Sequence, residues 1–342
     1  MKIIKIGTRG SPLALVQAET VSGMLKKALP GYDTEIVTIS TKGDRVLSTP
    51  LWKVGGKGLF VEEIEAGLLK GEIEEDSGNK TGTDNIKIDI AVHSMKDLPG
   101  EIPKGLTIGA VPKRLDPTDW LITLNQNGGD VNNTIESLPK GAVVGTSSLR
   151  RGAQLLMKRP DLKIIPLRGN VGTRLEKLKR GECDATILAA AGLIRLGLED
   201  IPHIVNIVLD PDEFIPAVGQ GALAIEVGSR FRQEVKVIDH FESRVAVLAE
   251  RSFVKTLGAT CHSAVGGYAR VVDGRLVLKG RVLSPDGNEM IEGSESGEIA
   301  LEGADEMFKE KANELAKELG KVLAEKLLGK GAGRLLDMVE DG

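Results

Sequence analysis

The sequence predicts two α/β domains followed by a small α+β domain. Three observations carry this. Short apolar runs of strand length alternate with helical patterns as far as Pro112; the same rhythm restarts after Pro112 and Pro117; and from Phe241 the pattern changes to a helix, three strand-like runs and a charged amphipathic helix.

The first domain opens with Lys2–Ile6, which alternates as a strand. Ser11 and Pro12 then supply an N-cap and a proline at the first helical position for a helix running toward Leu29, and Pro30-Gly31 stops it. Thr34–Thr41, Lys87–His93 and Leu106–Val111 are further strands, and Phe60–Lys70 is an amphipathic helix. Asp44–Gly58, rich in Gly, Lys, Ser and Pro, has the composition of a lid, and Glu74–Asn85 that of a polar surface excursion. In the second domain strands are expected at Trp120–Leu124, Ala142–Gly145, Lys163–Pro166 and Ala185–Ala189, with helices from Ser148 and Val171. Ala222–Val227 is another buried strand pattern, placed where the chain can return to complete the first sheet. The third domain holds the helix Phe241–Leu257, strands Ala264–Val271, Leu276–Leu283 and Met290–Glu298, and the helix Glu302–Leu328. The expected division is 1–112 with 213–230 as a discontinuous first domain, 113–212 as the second and 231–342 as the third.

Composition excludes several classes of function. Among 342 residues, 45 Lys and Arg stand against 49 Asp and Glu, a net charge of −4, so whole-molecule electrostatics draw the chain neither to nucleic acid nor to an anionic membrane. Ten aromatic residues are too few for base-stacking platforms. No long apolar run is present, and Met1–Gly7 leads directly into domain sequence without a signal core; a cytoplasmic protein with no membrane partner is expected. Cys183 and Cys261 make no disulfide framework, and His93, His203, His240 and His262 have no metal-ligand spacing, so no metal is expected. Without an apolar surface stripe the chain is expected to be a monomer.

Anion recognition must then be local, and the arginines show where. Seven of the 18 lie between Arg150 and Arg195; Arg150, Arg151, Arg168, Arg174 and Arg195 stand at or near predicted element ends. Guanidinium groups bind carboxylates or phosphates through two parallel hydrogen bonds, and the helix start after Thr146-Ser147-Ser148 adds oriented N–H donors. An ordinary charged surface helix is the plainer alternative. His93-Ser94-Met95-Lys96-Asp97 follows a buried strand, where open α/β sheets place ligands. There Asp97 could stabilise a developing cation and Lys96 hold an acidic group; a salt-bridged turn is the competing reading. Lys53 and Lys57, in a glycine-flanked loop, lack the spacing of a nucleoside-triphosphate loop. Cys183 precedes an apolar run and is expected in the core. Cys261 falls in a loop, where it is either structural or a reactive thiol. On these features alone a solute-binding module and a cysteine-dependent acyl transferase both stay open.

The segments IGTRGSPLALVQAE (6–19), KVGGKGLFVEEIE (53–65), DIAVHSMKDLP (89–99), VGTSSLRRGAQL (144–155), LRGNVGTRLEKL (167–178), AAAGLIRLGL (189–198) and PAVGQGALAIE (216–226) together resemble the hydroxymethylbilane synthase, or porphobilinogen deaminase, family over nearly the whole chain. HSMKD and SSLRR are the most specific. The resemblance implies two periplasmic-binding-protein-like α/β domains plus a small α+β C-terminal domain. It implies a transferase that condenses four porphobilinogen molecules head to tail with loss of ammonia and releases linear hydroxymethylbilane by hydrolysis. The family primes synthesis on a dipyrromethane held by thioether to one cysteine, and the matching position is Cys261. By motif, Asp97 is the catalytic carboxylate. Arg9, Ser11, Lys57, Lys96, Thr146, Ser147, Ser148, Arg150, Arg151, Arg168, Arg174 and Arg195 take the cofactor- and substrate-binding positions. Two departures stand out: Ala259-Thr260 precedes Cys261 where many relatives have two glycines, and Glu74–Asn85 interrupts the join between helix and strand.

Overall fold

The computed structural model describes residues 1–45, 61–72, 87–124, 134–260, 263–299 and 306–338. Lys57, Cys261, most of the 44–58 stretch and all of 74–85 lie outside the described residues. The chain divides into two compact units, Met1–Arg114 with Ala222–Arg244, and Leu115–Gly221 with Val245–Gly342.

The first unit contains β1 (Lys2–Arg9), α1 (Pro12–Ala28), β2 (Tyr32–Ile39), α2 (Glu62–Glu72), β3 (Ile90–Ser94) and β4 (Thr107–Ala110). The second begins with β5 (Asp119–Leu124), β6 (Val143–Gly145), α3 (Leu149–Lys158), β7 (Lys163–Ile165), α4 (Val171–Lys179), β8 (Ala185–Ala189), α5 (Ala190–Leu196) and β9 (Ile204–Val208). The chain then returns to the first sheet as β10 (Leu223–Val227). The two five-stranded sheets are ordered β2-β1-β3-β10-β4 and β7-β6-β8-β5-β9. In the first sheet β1 lies between β2 and β3 in parallel, as β6 does between β7 and β8 in the second, and the place beside β4 or β9 belongs to an antiparallel strand, β10 or β5, that the chain forms on entering from the other unit. One topology is thus used twice, and the expected pair of α/β domains is what the chain forms.

Strand alternation sorts the first core onto two faces. Ile4, Ile6, Ile90, Val92, Leu223 and Ile225 pack against Ala18, Val21 and Leu25 of α1, while Ala91 on the opposite face meets Ile64 and Leu68 of α2. Helix α1 starts as the sequence predicts: Pro12 is at the first position and Ser11 Oγ accepts from Ala14 N at 3.3 Å. Past β10, Val235 joins the α1-side core and His240 N donates to Val111 O, so the first unit runs on to Arg244, past the expected limit at 230.

The rest of the second unit is an antiparallel meander of β11 (Val265–Val272), β12 (Arg275–Leu283) and β13 (Met290–Glu298) with α6 (Phe241–Leu257), α7 (Glu306–Gly329) and α8 (Ala332–Asp337). Glycines let the helices approach it. A Cβ on Gly280 would stand 2.4 Å from the Phe253 ring, and Gly293 and Gly297 receive leucines of α7. Gly320, inside α7, is the tightest case: a Cβ there would lie 2.2 Å from the backbone oxygen of Ala249 in α6. Replacing a mid-helix glycine by alanine ordinarily gains about 1 kcal/mol of helix propensity. Here overpacking against rigid backbone reverses the sign, and Gly320→Ala is expected to lose about 1–3 kcal/mol in urea unfolding. An unchanged or raised midpoint would contradict the close α6–α7 crossing.

Candidate active site

In each unit the candidate residues gather at the carboxyl ends of parallel strands, where strand ends and helix starts leave backbone and side-chain donors open to a ligand. In the first unit β1 delivers Arg9 and, one turn on, Ser11; β3 delivers Ser94 and the short 3₁₀ turn Met95–Asp97. Met95 is buried and its N–H donates to Ala222 O at 3.0 Å, which pins the turn while Lys96 and Asp97 stay exposed. Arg9, Ser11 and Asp97 line one pocket together with Gln17, His93 and Ser94. Among the described residues none is ion-paired with Asp97. Gln17 has no place among the residues singled out by the sequence; it is buried in α1 and its Nε2 donates to Ser94 Oγ at 2.8 Å. Its position in the QAE end of the first resembling segment is the signal that marks it.

In the second unit β6 ends at Gly145 and the next three residues tie down the start of α3. Thr146 N donates to Ile165 O at 2.8 Å, Ser147 Oγ donates to Leu167 O at 3.1 Å, and Ser148 caps the helix by accepting from Arg151 N at 3.4 Å. Arg150 and Arg151 in the first turn are buried, and both reach Asp119 at the start of β5. Arg150 Nη1 stands 2.7 Å from Oδ2, and Arg151 donates through Nη2 and Nε to Oδ1 at 2.7 and 3.1 Å. Arg150 Nη1 also donates to Ile215 O and Arg151 Nη1 to Ile187 O, and Gln220 Nε2 adds a further bond to Asp119. Burial alone would push the Asp119 carboxyl up; the two guanidinium groups overcome it and hold it well below the usual carboxylate range.

One carboxylate against two guanidinium groups leaves positive charge in excess at this centre, and Arg174 and Arg195 are two further half-buried cations of the unit. Arg174 Nε donates to Gly169 O at 2.8 Å; burial, with Arg151 and Arg168 nearby, brings Arg174 down to about 10. Arg195 Nη2 donates to Gly221 O at 2.9 Å, and burial brings it down to about 10 as well. No carboxylate is among the groups acting on either. Half-buried cations held together against their own repulsion are what a site for an organic polyacid requires.

The description "Porphobilinogen deaminase, dipyromethane cofactor binding domain" belongs to a family model that matches residues 4–236, and "Porphobilinogen deaminase, C-terminal domain" to one that matches 245–329. The chain belongs to the porphobilinogen deaminase family. A porphobilinogen deaminase of Alkaliphilus metalliredigens is 46% identical over 303 residues, 88% of each chain. One of Syntrophobacter fumaroxidans is 45% identical over 302 residues, 87% of this chain and 90% of its own. More distantly, the solved structure of an ancestral cationic amino acid solute binding protein covers 69% of this chain and 86% of its own at 13% identity and a TM-score of 0.40. Members of the porphobilinogen deaminase family are transferases of tetrapyrrole synthesis. The dipyrromethane in the family model's description bears carboxylates on both rings, and the half-buried Arg174 and Arg195 have the charge and hydrogen-bonding forks that suit such groups.

Asp119→Asn leaves two buried guanidinium groups without a counter-charge and is expected to cost about 3–5 kcal/mol at neutral pH. Breaking the exposed Lys26–Asp33 pair should cost far less, because solvent screens it. Because the folded Asp119 carboxyl ionises below its unfolded value, its contribution is complete above about pH 4 and is lost as pH falls further. Denaturant unfolding of the two proteins should therefore differ most near neutrality and converge in acid.

Proposed function

We propose that this chain is a hydroxymethylbilane synthase acting as a cytoplasmic monomer, with Asp97 as its catalytic carboxylate and Cys261 as the attachment point of a dipyrromethane. It condenses four porphobilinogen molecules head to tail, releases ammonia at each addition and hydrolyses the linear tetrapyrrole off. The observation that carries this reading is Arg174, half-buried with Arg151 and Arg168 beside it, in a chain that also presents Asp97, which is ion-paired with none of the described residues, at a strand edge.

The residues divide the work by charge. Arg150, Arg151, Arg168, Arg174 and Arg195, with Thr146, Ser147 and Ser148, hold the acetate and propionate groups that accumulate as the chain lengthens. Arg9, Ser11, Lys96 and Lys57 do the same for the incoming monomer. When bound, the dipyrromethane supplies a ring with a free α-carbon on which the product is built. Asp97 stands where the aminomethyl nitrogen of porphobilinogen departs: its ionised carboxylate stabilises the cation left on the substrate and accepts from the pyrrole N–H. A fixed charge aimed at a charge that develops only in the transition state lowers the barrier without having to reorganise.

Intact-protein mass spectrometry should find two pyrrole units on Cys261, and Cys261→Ser should carry none. An unmodified thiol in active protein would overturn the reading in favour of a binding module. Asp97→Asn is expected to keep the adduct while turnover falls by about 10²-fold or more; unchanged consumption of porphobilinogen would remove Asp97 from the mechanism.

A further inference from the structure

The chemistry assigned to Asp97 leaves unexplained a group of ionisable side chains inside the first unit. His93 on β3 and Glu226 on β10 belong to neighbouring antiparallel strands: His93 is registered with Ala224, and Glu226 with Ala91. By alternation His93, Ala91 and Glu226 share one sheet face. Helix α2 covers that face through Ile64 and Leu68, and its Glu65 is buried. All three side chains are buried, Glu226 completely. Among the described residues one contact joins them, His93 Nε2 to Glu226 Oε2 at 3.1 Å. Glu65 Oε1 and Glu226 Oε1 are both buried without a hydrogen-bond partner. The charges that act on Glu65 are those of Glu226 and of Glu62 on its own helix, all of one sign, and burial with this repulsion pushes the Glu65 carboxyl up to about 7.

Two buried carboxylates facing one imidazole are too costly to remain fully ionised, because desolvation exceeds what a single cation can return. Water is shut out at both orphan oxygens, so the economical remedy is a proton. His93, the member tied to Glu226, also lines the pocket that holds Asp97, one residue from the end of β3.

We propose that Glu65, Glu226 and His93 form a buried proton-holding site that serves the Asp97 pocket through His93. The inference rests on Asp97 being the reaction centre and deepens that reading. In each condensation the substrate's C–N bond breaks with its electron pair leaving on ammonia. A C–C bond forms in its place, and the ring carbon that attacked gives up one proton. His93 receives that proton with Glu226 stabilising the imidazolium, and Glu65 and Glu226 buffer it. Its return to the departing ammonia closes the cycle with no net uptake. Acid–base assistance of this kind is worth roughly 10²-fold or more in rate.

The holoenzyme tests this in two ways. Infrared spectroscopy at neutral pH should show the C=O band of a protonated, buried carboxyl that shifts in deuterium oxide and vanishes in Glu65→Gln, with the pyrrole adduct still present by mass. His93→Gln keeps a hydrogen bond toward Glu226 but cannot take a proton. It is expected to lower kcat by roughly 10²-fold with KM within about twofold, and to lose the acid limb of the kcat profile. If His93→Gln does not fold, Glu226→Gln supplies the same profile. Absence of the protonated-carboxyl band from the unmutated protein, or an unaltered kcat profile in these variants, would overturn the proton site. If Asp97→Asn still abolished turnover in that case, the proposed function would stand without it; if Asp97→Asn were fully active, the function itself would fall.

Discussion

A single carboxylate buried beneath two adjacent arginines organises the second unit. Asp119 opens β5, Arg150 and Arg151 open α3, and their contact fastens the antiparallel strand of the sheet to the helix that follows β6. Gln220 reaches the same carboxylate and the carbonyl oxygens of Pro117 and Thr118, while Gly221 O accepts from Arg195. Strand, helix and loop therefore share one polar centre. The stoichiometry matters as much as the geometry. A second carboxylate would neutralise the pair; with one, this centre keeps a positive charge in excess, and burial with Arg151 and Arg168 nearby lowers Arg174.

The two units apply one topology to different chemistry. Each sets its candidate residues at the carboxyl edge of β-strands, and each caps the helix that follows a central parallel strand, β1 or β6, with a serine, Ser11 or Ser148. The first unit gathers carboxylates there, Asp97 at the edge and Glu65 with Glu226 beneath; the second gathers guanidinium groups. A shared fold thus supplies position, and side-chain charge supplies function.

Most of this was legible in the sequence because its signals are local. Ser-Pro and Ser-Leu-Arg-Arg at helix starts, the buried run Ala185–Ala189 and the apolar surroundings of Cys183, which is buried, depend on residues a few positions apart. What escaped is what distance in the chain conceals. Asp119 is one of 49 acidic residues, and only the pairing across 32 positions with Arg151 separates it from the others; an acid opening the otherwise apolar run Asp119–Leu124 was the one clue. Strand β9 has a half-buried edge pattern around Asn206 that fits neither alternation nor a continuous buried run, and α5 is too short to show helical periodicity. The Glu65, His93 and Glu226 cluster draws on three elements and has no sequence signature at all.

The discontinuous first sheet has a consequence for how the molecule is made. Strand β10 lies between β3 and β4 and is the neighbour that links β4 to the rest of that sheet, yet it is encoded after all five strands of the second sheet. A nascent chain can complete the second sheet while the first still exposes an open edge along β3. Vectorial synthesis therefore favours the arginine-bearing half, and the half that carries Asp97 closes only after residue Val227 has left the ribosome. Until then the row of unpaired backbone groups on β3 is a ready template for the wrong strand, which makes this interval the point at which a chaperone would have most to do.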